Sequence, residues 1–179
     1  MPIDVNGVVL SSTGTILSTD NGATNWFSVD SNGIMKRPQT PYMRAQFSGQ
    51  GSFYRSNSNP VTFGSVDENV GSCWNNSTGY WTCPVGGYYF AQIAGIASGA
   101  ANGVTSYGYF YIDKNSATYI FSHWNTASVW DYVNLSAIVQ CAAGDTIRFR
   151  IQGGNGSTDS NNGFYGAGNH GCSSIGLIL

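Results

Sequence analysis

Between residues 63 and 91, aromatic side chains recur at intervals that few folds accommodate. Phe63 is followed after five residues by Asn69, after four more by Trp74, after six by Trp81, and after five by Gly87-Tyr88-Tyr89-Phe90-Ala91. Short runs this rich in aromatics, broken by Gly, Asn and Ser, read as strands joined by tight turns. Asn76-Ser77-Thr78-Gly79-Tyr80 reads as a three-residue turn, with Gly79 free to take positive φ. That register sets Asn76 opposite Tyr80, Trp74 opposite Thr82 and Cys73 opposite Cys83. Pro84 ends the second strand because it has no ladder N–H. Val85-Gly86-Gly87 then turns, and Tyr88 to Ile96 forms the next strand. A generic hairpin accounts for the turn but not for the aromatic spacing on both sides of it.

Period-two alternation assigns faces further along the chain. In the run from Trp130 to Cys141, the set Val133, Leu135, Ala137, Val139, Cys141 suits a sandwich core, and Trp130, Tyr132, Asn134, Ser136, Ile138, Gln140 suits the opposite face. In Thr146-Ile147-Arg148-Phe149-Arg150-Ile151 the apolar set faces inward. Arg148 and Arg150 then face water, as on an edge strand or solvated face rather than a basic patch. Ile175-Gly176-Leu177-Ile178-Leu179 predicts a last strand held inside a sheet. The expected core contains Phe47, Tyr89, Ile93, Val133, Leu135, Val139, Phe149 and Leu177.

Composition narrows the class. Only 9% of residues are charged while 14% are aromatic, the reverse of a disordered chain. With 24 glycines among many Asn, Ser and Thr, an all-β protein with tight turns follows. A net charge of −2 leaves no electrostatic footprint for nucleic acid. No apolar run approaches the ~18 residues of a bilayer span. Met1-Pro2-Ile3-Asp4 lacks the basic start and apolar centre of a signal peptide, which predicts assembly in a cytoplasm. Cys73, Cys83, Cys141 and Cys172 allow three full pairings. A cytoplasmic origin favours free, buried thiols, and a Cys73–Cys83 cross-strand bridge is the geometric alternative. The cysteines lack the Cys-x-x-Cys spacing or nearby His of a zinc site.

Catalytic patterns are absent. His123 and His170 have no metal-ligand partner at helical or strand spacing, and His123 reads as a loop or strand-end residue. Asp67 and Glu68 are adjacent, so on a strand they point to opposite faces and cannot share a proton. Gly153-Gly154-Asn155-Gly156-Ser157 opens no helix and reads as a loop rather than a phosphate cradle. Asp113, Asp131, Asp145 and Asp159 are isolated, without the alternating oxygen ligands of a calcium loop. No catalytic residue, metal or cofactor is expected.

The aromatic intervals resemble the signature of the complement C1q-like domain, a relative of tumour necrosis factor. The spacing survives without a gap over a resemblance covering residues 40 to 179. Trp81 and Ala91 depart from it, standing where the family usually has Phe. The resemblance implies a ten-stranded jelly-roll β-sandwich that forms homotrimers. It places Tyr42–Phe47, Tyr88–Ile96, Trp130–Cys141 and Cys172–Leu179 in the inner sheet. Their non-core faces carry Tyr42, Tyr88, Phe90, Trp130, Tyr132 and Ile138, too aromatic a surface for a monomer, so trimer packing is expected there.

Residues 1 to 40 differ in character and are expected to be an N-terminal extended arm and linker to a domain spanning 41 to 179. Short apolar runs, including Val8, Leu10, Ile16, Leu17, Trp26 and Phe27, are cut by small polar residues. They are too many for a disordered tail and too few for a core of their own. Pro38 and Pro41 close the segment as a linker. An arm followed by such a domain resembles bacteriophage virion proteins, where the domain caps a tail fibre or decorates a capsid. Collagen-type Gly-x-y repeats are absent. The expected function is a trimeric virion structural protein acting in host attachment, assembled in the host cytoplasm, with other virion proteins as partners through the arm. The alternative is a secreted or cell-surface C1q-like adhesin or lectin. Neither nucleic acid nor membrane insertion is expected. The segments Gly99 to Ser106, His123 to Val129 and Gly153 to His170 read as long polar loops. Tyr107, next to the first of these, and His123, Trp124 and Tyr165 within the others are candidates for contact with a host glycan or protein.

Overall fold

The computed structural model describes the backbone of residues 3–5, 8–10, 15–18, 25–29, 35–36, 40–47, 50–51, 60–98, 106–126, 130–153, 163–165 and 171–178. Side-chain surroundings are described within 40–47, 60–96, 108–123, 132–152 and 171–178. The chain divides into two compact units, Met1–Thr40 and Pro41–Leu179. Among the described residues, no helix is long and apolar enough to cross a membrane.

The first unit is more structured than a single extended arm. Strands β1 (Ile3–Val5) and β2 (Val8–Leu10) pair antiparallel, with Val5 opposite Val8. Strands β3 (Thr15–Ser18), β4 (Asn25–Val29) and β5 (Met35–Lys36) form a three-stranded antiparallel sheet. Val8 and Leu10 thus lie on β2, Ile16 and Leu17 on β3, and Trp26 and Phe27 on β4; their side-chain surroundings are outside the described residues.

The second unit is a sandwich of two antiparallel sheets. The inner sheet contains β6 (Tyr42–Gln46), β8 (Ser65–Val70), β11 (Gly87–Ser98), β14 (Trp130–Cys141) and β17 (Cys172–Leu177), in the order β14-β11-β17-β6-β8. Two short strands, β7 (Gln50–Gly51) and β16 (Gly163–Tyr165), extend it beside the end of β11. The outer sheet runs β13 (Ala117–Thr126), β12 (Ser106–Lys114), β15 (Thr146–Gly153), β10 (Tyr80–Thr82), β9 (Trp74–Asn75). The last strand, β17, sits between β11 and β6, so its backbone groups are paired on both sides.

The core fills the space between the sheets. Tyr89, Ile93, Val133, Leu135, Val139, Phe149 and Phe47 are all buried, and Leu177 is partly buried against them. Around Phe63 the rings of Trp74 and Phe149 pack with centroids 5.4 and 6.3 Å away. Two asparagines explain why the aromatic intervals are so regular. Asn69 Nδ2 donates to Trp74 O at 2.9 Å and its Oδ1 accepts from Trp74 N at 3.0 Å, closing the turn between β8 and β9. Asn76 Oδ1 accepts from Phe63 N at 2.8 Å and its Nδ2 donates to Phe63 O at 2.7 Å. Each side chain stands in for a strand partner, which pins one ring relative to the next.

The hairpin register differs from the expected one by a residue. Tyr80 pairs with Asn75 and Trp81 with Trp74, so the loop holds four residues and Thr82 N donates to Cys73 O at 2.9 Å. Cys73 therefore faces Thr82, not Cys83. Asn76 is drawn out of the ladder by its bonds to Phe63, which lengthens the loop. Gly79 takes φ +72°, and a Cβ there would lie 2.6 Å from Val61 O.

Candidate assembly and binding surfaces

The outward face of the inner sheet collects the residues expected at a trimer interface. Phe90 on β11 lies opposite Ile138 on β14 and, on its other side, opposite Gly176 on β17; Gly176 in turn lies opposite Tyr42 on β6. A Cβ on Gly176 would come within 3.2 Å of Tyr42 Cδ2, so the missing side chain lets the ring lie against the sheet. Tyr88 precedes this row on the same face and Tyr132 follows it, opposite Ile96. Tyr88, Phe90, Tyr132 and Ile138 remain 45%, 38%, 63% and 59% exposed, and Tyr42 is half-buried. Trp130 pairs with Ser98 in the same phase, with its side chain outside the described residues. A second apolar patch lies on the neighbouring edge strand β13, where Tyr119, Ile120 and Phe121 are exposed and Tyr119 Oη donates to Ile138 O at 3.1 Å.

The candidate ligand residues lie on strands rather than loops. Tyr107 pairs with Asn125 and Trp124 with Gly108, because β12 and β13 run longer than Gly108 and the polar residues near their ends suggest. His123 pairs with Tyr109 on the outer face of that hairpin, with ring centroids 5.1 Å apart. Tyr165 lies on β16, opposite Ile96 and Gln50. The side chains of Tyr107, Trp124 and Tyr165 are outside the described residues. His123 belongs to a ring cluster on the outer sheet: Tyr109 lies 6.0 Å from Tyr111 and 6.1 Å from Phe121, and Arg150 sits 4.2 Å over Tyr111. Tyr111 Oη donates to Gln152 Oε1 at 2.9 Å.

Arg148 and Arg150 do not simply face water. Both turn onto Asp113, whose side chain is wholly buried. Arg148 Nε donates to Asp113 Oδ2 at 2.8 Å, and Arg150 donates through Nε to the same oxygen and through Nη2 to Oδ1 at 3.0 Å. The remaining Arg148 donors reach Tyr80 Oη at 2.8 Å and Ser116 O at 3.2 Å. The hydrogen bond to Ser116 and the Arg148 cation hold the Tyr80 phenol below its ordinary value. The unbroken β12–β15 register sets Asp113 directly opposite Arg148. The pattern could not reveal the site, since its carboxylate and cations lie on separate strands. Every group in it is paired, and no nucleophile adjoins a base, so the network ties β10, β12 and β15 together.

A second polar knot closes one end of the sandwich. Asp145 accepts from Asn115 Nδ2, Ala142 N and Lys114 Nζ at 2.8, 2.8 and 2.9 Å. These donors pull its carboxyl down to about 2. Among the described residues, no three His, Cys, Asp or Glu side chains converge as metal ligands would.

Comparison with known proteins fits this architecture. The sequence model of the C1q domain matches residues 45–167. The globular domain of zebrafish complement 1qA protein superposes with a TM-score of 0.59 at 17% identity, covering 78% of this chain and 98% of its own. The structure of Eiger TNF from S. frugiperda superposes with a TM-score of 0.54 at 13% identity, covering 78% of this chain and 94% of its own. No curated protein matches the chain.

Proposed function

Since the chain belongs to the C1q domain family, we propose that residues 41–179 form the head of a homotrimer, a binding and structural module rather than an enzyme. We further propose that this trimer is a bacteriophage virion component, a fibre head or particle decoration, fastened through residues 1–40. The observation that carries the trimer is the exposed row Tyr88, Phe90, Tyr132 and Ile138 on the inner sheet. Covering what remains exposed of each is worth roughly 1 kcal/mol, multiplied over three interfaces. A closed ring needs two different complementary patches on each protomer. The sheet face is one, and the β13 edge with Tyr119 and Ile120 is the other.

The virion role is supported by the first unit, where short apolar strands stand in place of a Gly-x-y stalk. Host attachment is assigned to the outer-sheet rings of Tyr109, Tyr111, Phe121 and His123, which offer flat faces to a sugar or a protein loop. A secreted or cell-surface adhesin would use the same trimer. Light scattering at micromolar concentration tests the first claim: the whole chain should give three protomer masses, and Tyr132→Asp combined with Ile138→Asp should give one. A monomeric wild type would overturn it. An electron-microscopy map of purified phage particles tests the second, since a head absent from every particle removes the virion role.

A further inference from the structure

Two cysteines that the sequence spaces far apart meet at one end of the sandwich. Cys83 follows β10 in the outer sheet, and Cys141 ends β14 in the inner sheet. Cys83 N donates to Asp145 O and Gly144 N donates to Cys83 O, both at 2.8 Å, so the chain at Cys83 runs against the turn that leaves Cys141. Both thiols are buried and free, and each bears on the other's titration. Cys73 is turned elsewhere, its Sγ donating to Gly71 O at 3.4 Å, and Cys172 is exposed on another strand. The buried indole Nε1 of Trp81 makes no full hydrogen bond. The indole bears on Cys83, favouring its thiolate form.

We infer that Cys83 and Cys141 are a cross-linking site, able to form one inter-sheet disulfide when the protein folds in contact with an oxidised small-molecule disulfide. The Cys141 thiolate attacks one sulfur of that disulfide and expels the first small thiol, leaving a mixed disulfide on Cys141. The Cys83 thiolate then attacks the Cys141 sulfur and expels the second small thiol. Two protein protons leave with the two small thiols, the protein loses two electrons, and the small disulfide gains them. Cys141 acts first where the site opens with Lys114 still bonded to the adjacent Gln140 O at 2.8 Å, because that ammonium favours its charge. Burial pushes both thiols up, so exchange belongs to folding or to an opened state, before water leaves the site. The order of steps is then set by chemistry, and the choice of partners by the fold.

The test refolds the full chain with oxidised glutathione, and in parallel with a reducing agent. Each sample is denatured, alkylated and mapped by mass spectrometry. The oxidised sample should lose two of four alkylatable thiols, with one Cys83–Cys141 peptide. Closing a loop of roughly 60 residues should raise the melting temperature by roughly ten degrees over the reduced sample. Cys141→Ala should remove both the peptide and the difference in melting. Four alkylatable thiols after oxidative refolding would overturn the inference, as would a dominant link through Cys73 or Cys172. A Cys83–Cys141 link that lowers the melting temperature would show that the site is not built to hold it. The mapping on the unmodified sequence stands whether or not the variant folds.

Discussion

Removing the Asp113 carboxylate should be among the costliest single changes in the domain. In Asp113→Ala the side chain lost is wholly buried, and Arg148 and Arg150 are only 11% and 13% exposed. Two guanidiniums would then face each other with no anion between them. Breaking a buried ion pair by removing one partner costs about 3–5 kcal/mol, because an uncompensated charge is left in low dielectric. Loss of ordinary hydrogen bonds alone would cost about 1 kcal/mol each. The carboxylate accepts three from the arginines, so both routes give a multi-kcal loss, and a compensating variant separates them. In Asp113→Ala with Arg148→Met, one buried cation is gone, so the double variant should recover part of the loss instead of adding to it. Urea unfolding followed by tryptophan fluorescence measures this, since Trp74 and Trp81 are buried in the core. Samples are held at one protomer concentration, because assembly shifts apparent stability. A loss under about 1 kcal/mol for Asp113→Ala at unchanged m, or strictly additive losses in the double variant, would refute the reasoning.

Three further outcomes are expected. Leu135→Ala, at a position only 6% exposed, should cost roughly 2–5 kcal/mol in the same unfolding assay. Asp145 has a folded-state pKa depressed from 3.8 to about 2, so its contribution to stability is present above its unfolded value and is lost as pH falls toward 2. Asp145→Asn should therefore flatten the pH dependence of the urea midpoint between pH 4 and 2, and an unchanged profile would count against the knot with Asn115 and Lys114. Deleting residues 1 to 38 should leave a folded trimer that no longer assembles onto particles; loss of the trimer on light scattering would place that segment in the head's own structure.

What was legible in the sequence was what depends on near neighbours along the chain. Alternation in β14 assigned Val133, Leu135 and Val139 to the core and Tyr132 and Ile138 to the other face, because a strand turns successive side chains to opposite sides whatever it pairs with. The aromatic intervals carried the jelly roll, since each ring and its asparagine clip lie within one or two turns of the next. The turn register was not legible, because three- and four-residue loops both suit Gly79. The bonds from Asn76 back to Phe63 chose between them. The fate of Arg148 and Arg150 was decided only in three dimensions. Alternation correctly sent them to the outer face, but it cannot say that a strand 35 and 37 residues away sets Asp113 opposite Arg148. The meeting of Cys83 with Cys141 has the same origin. A strand's own period reports which way a side chain points, while what it meets there depends on which distant segments the topology folds alongside.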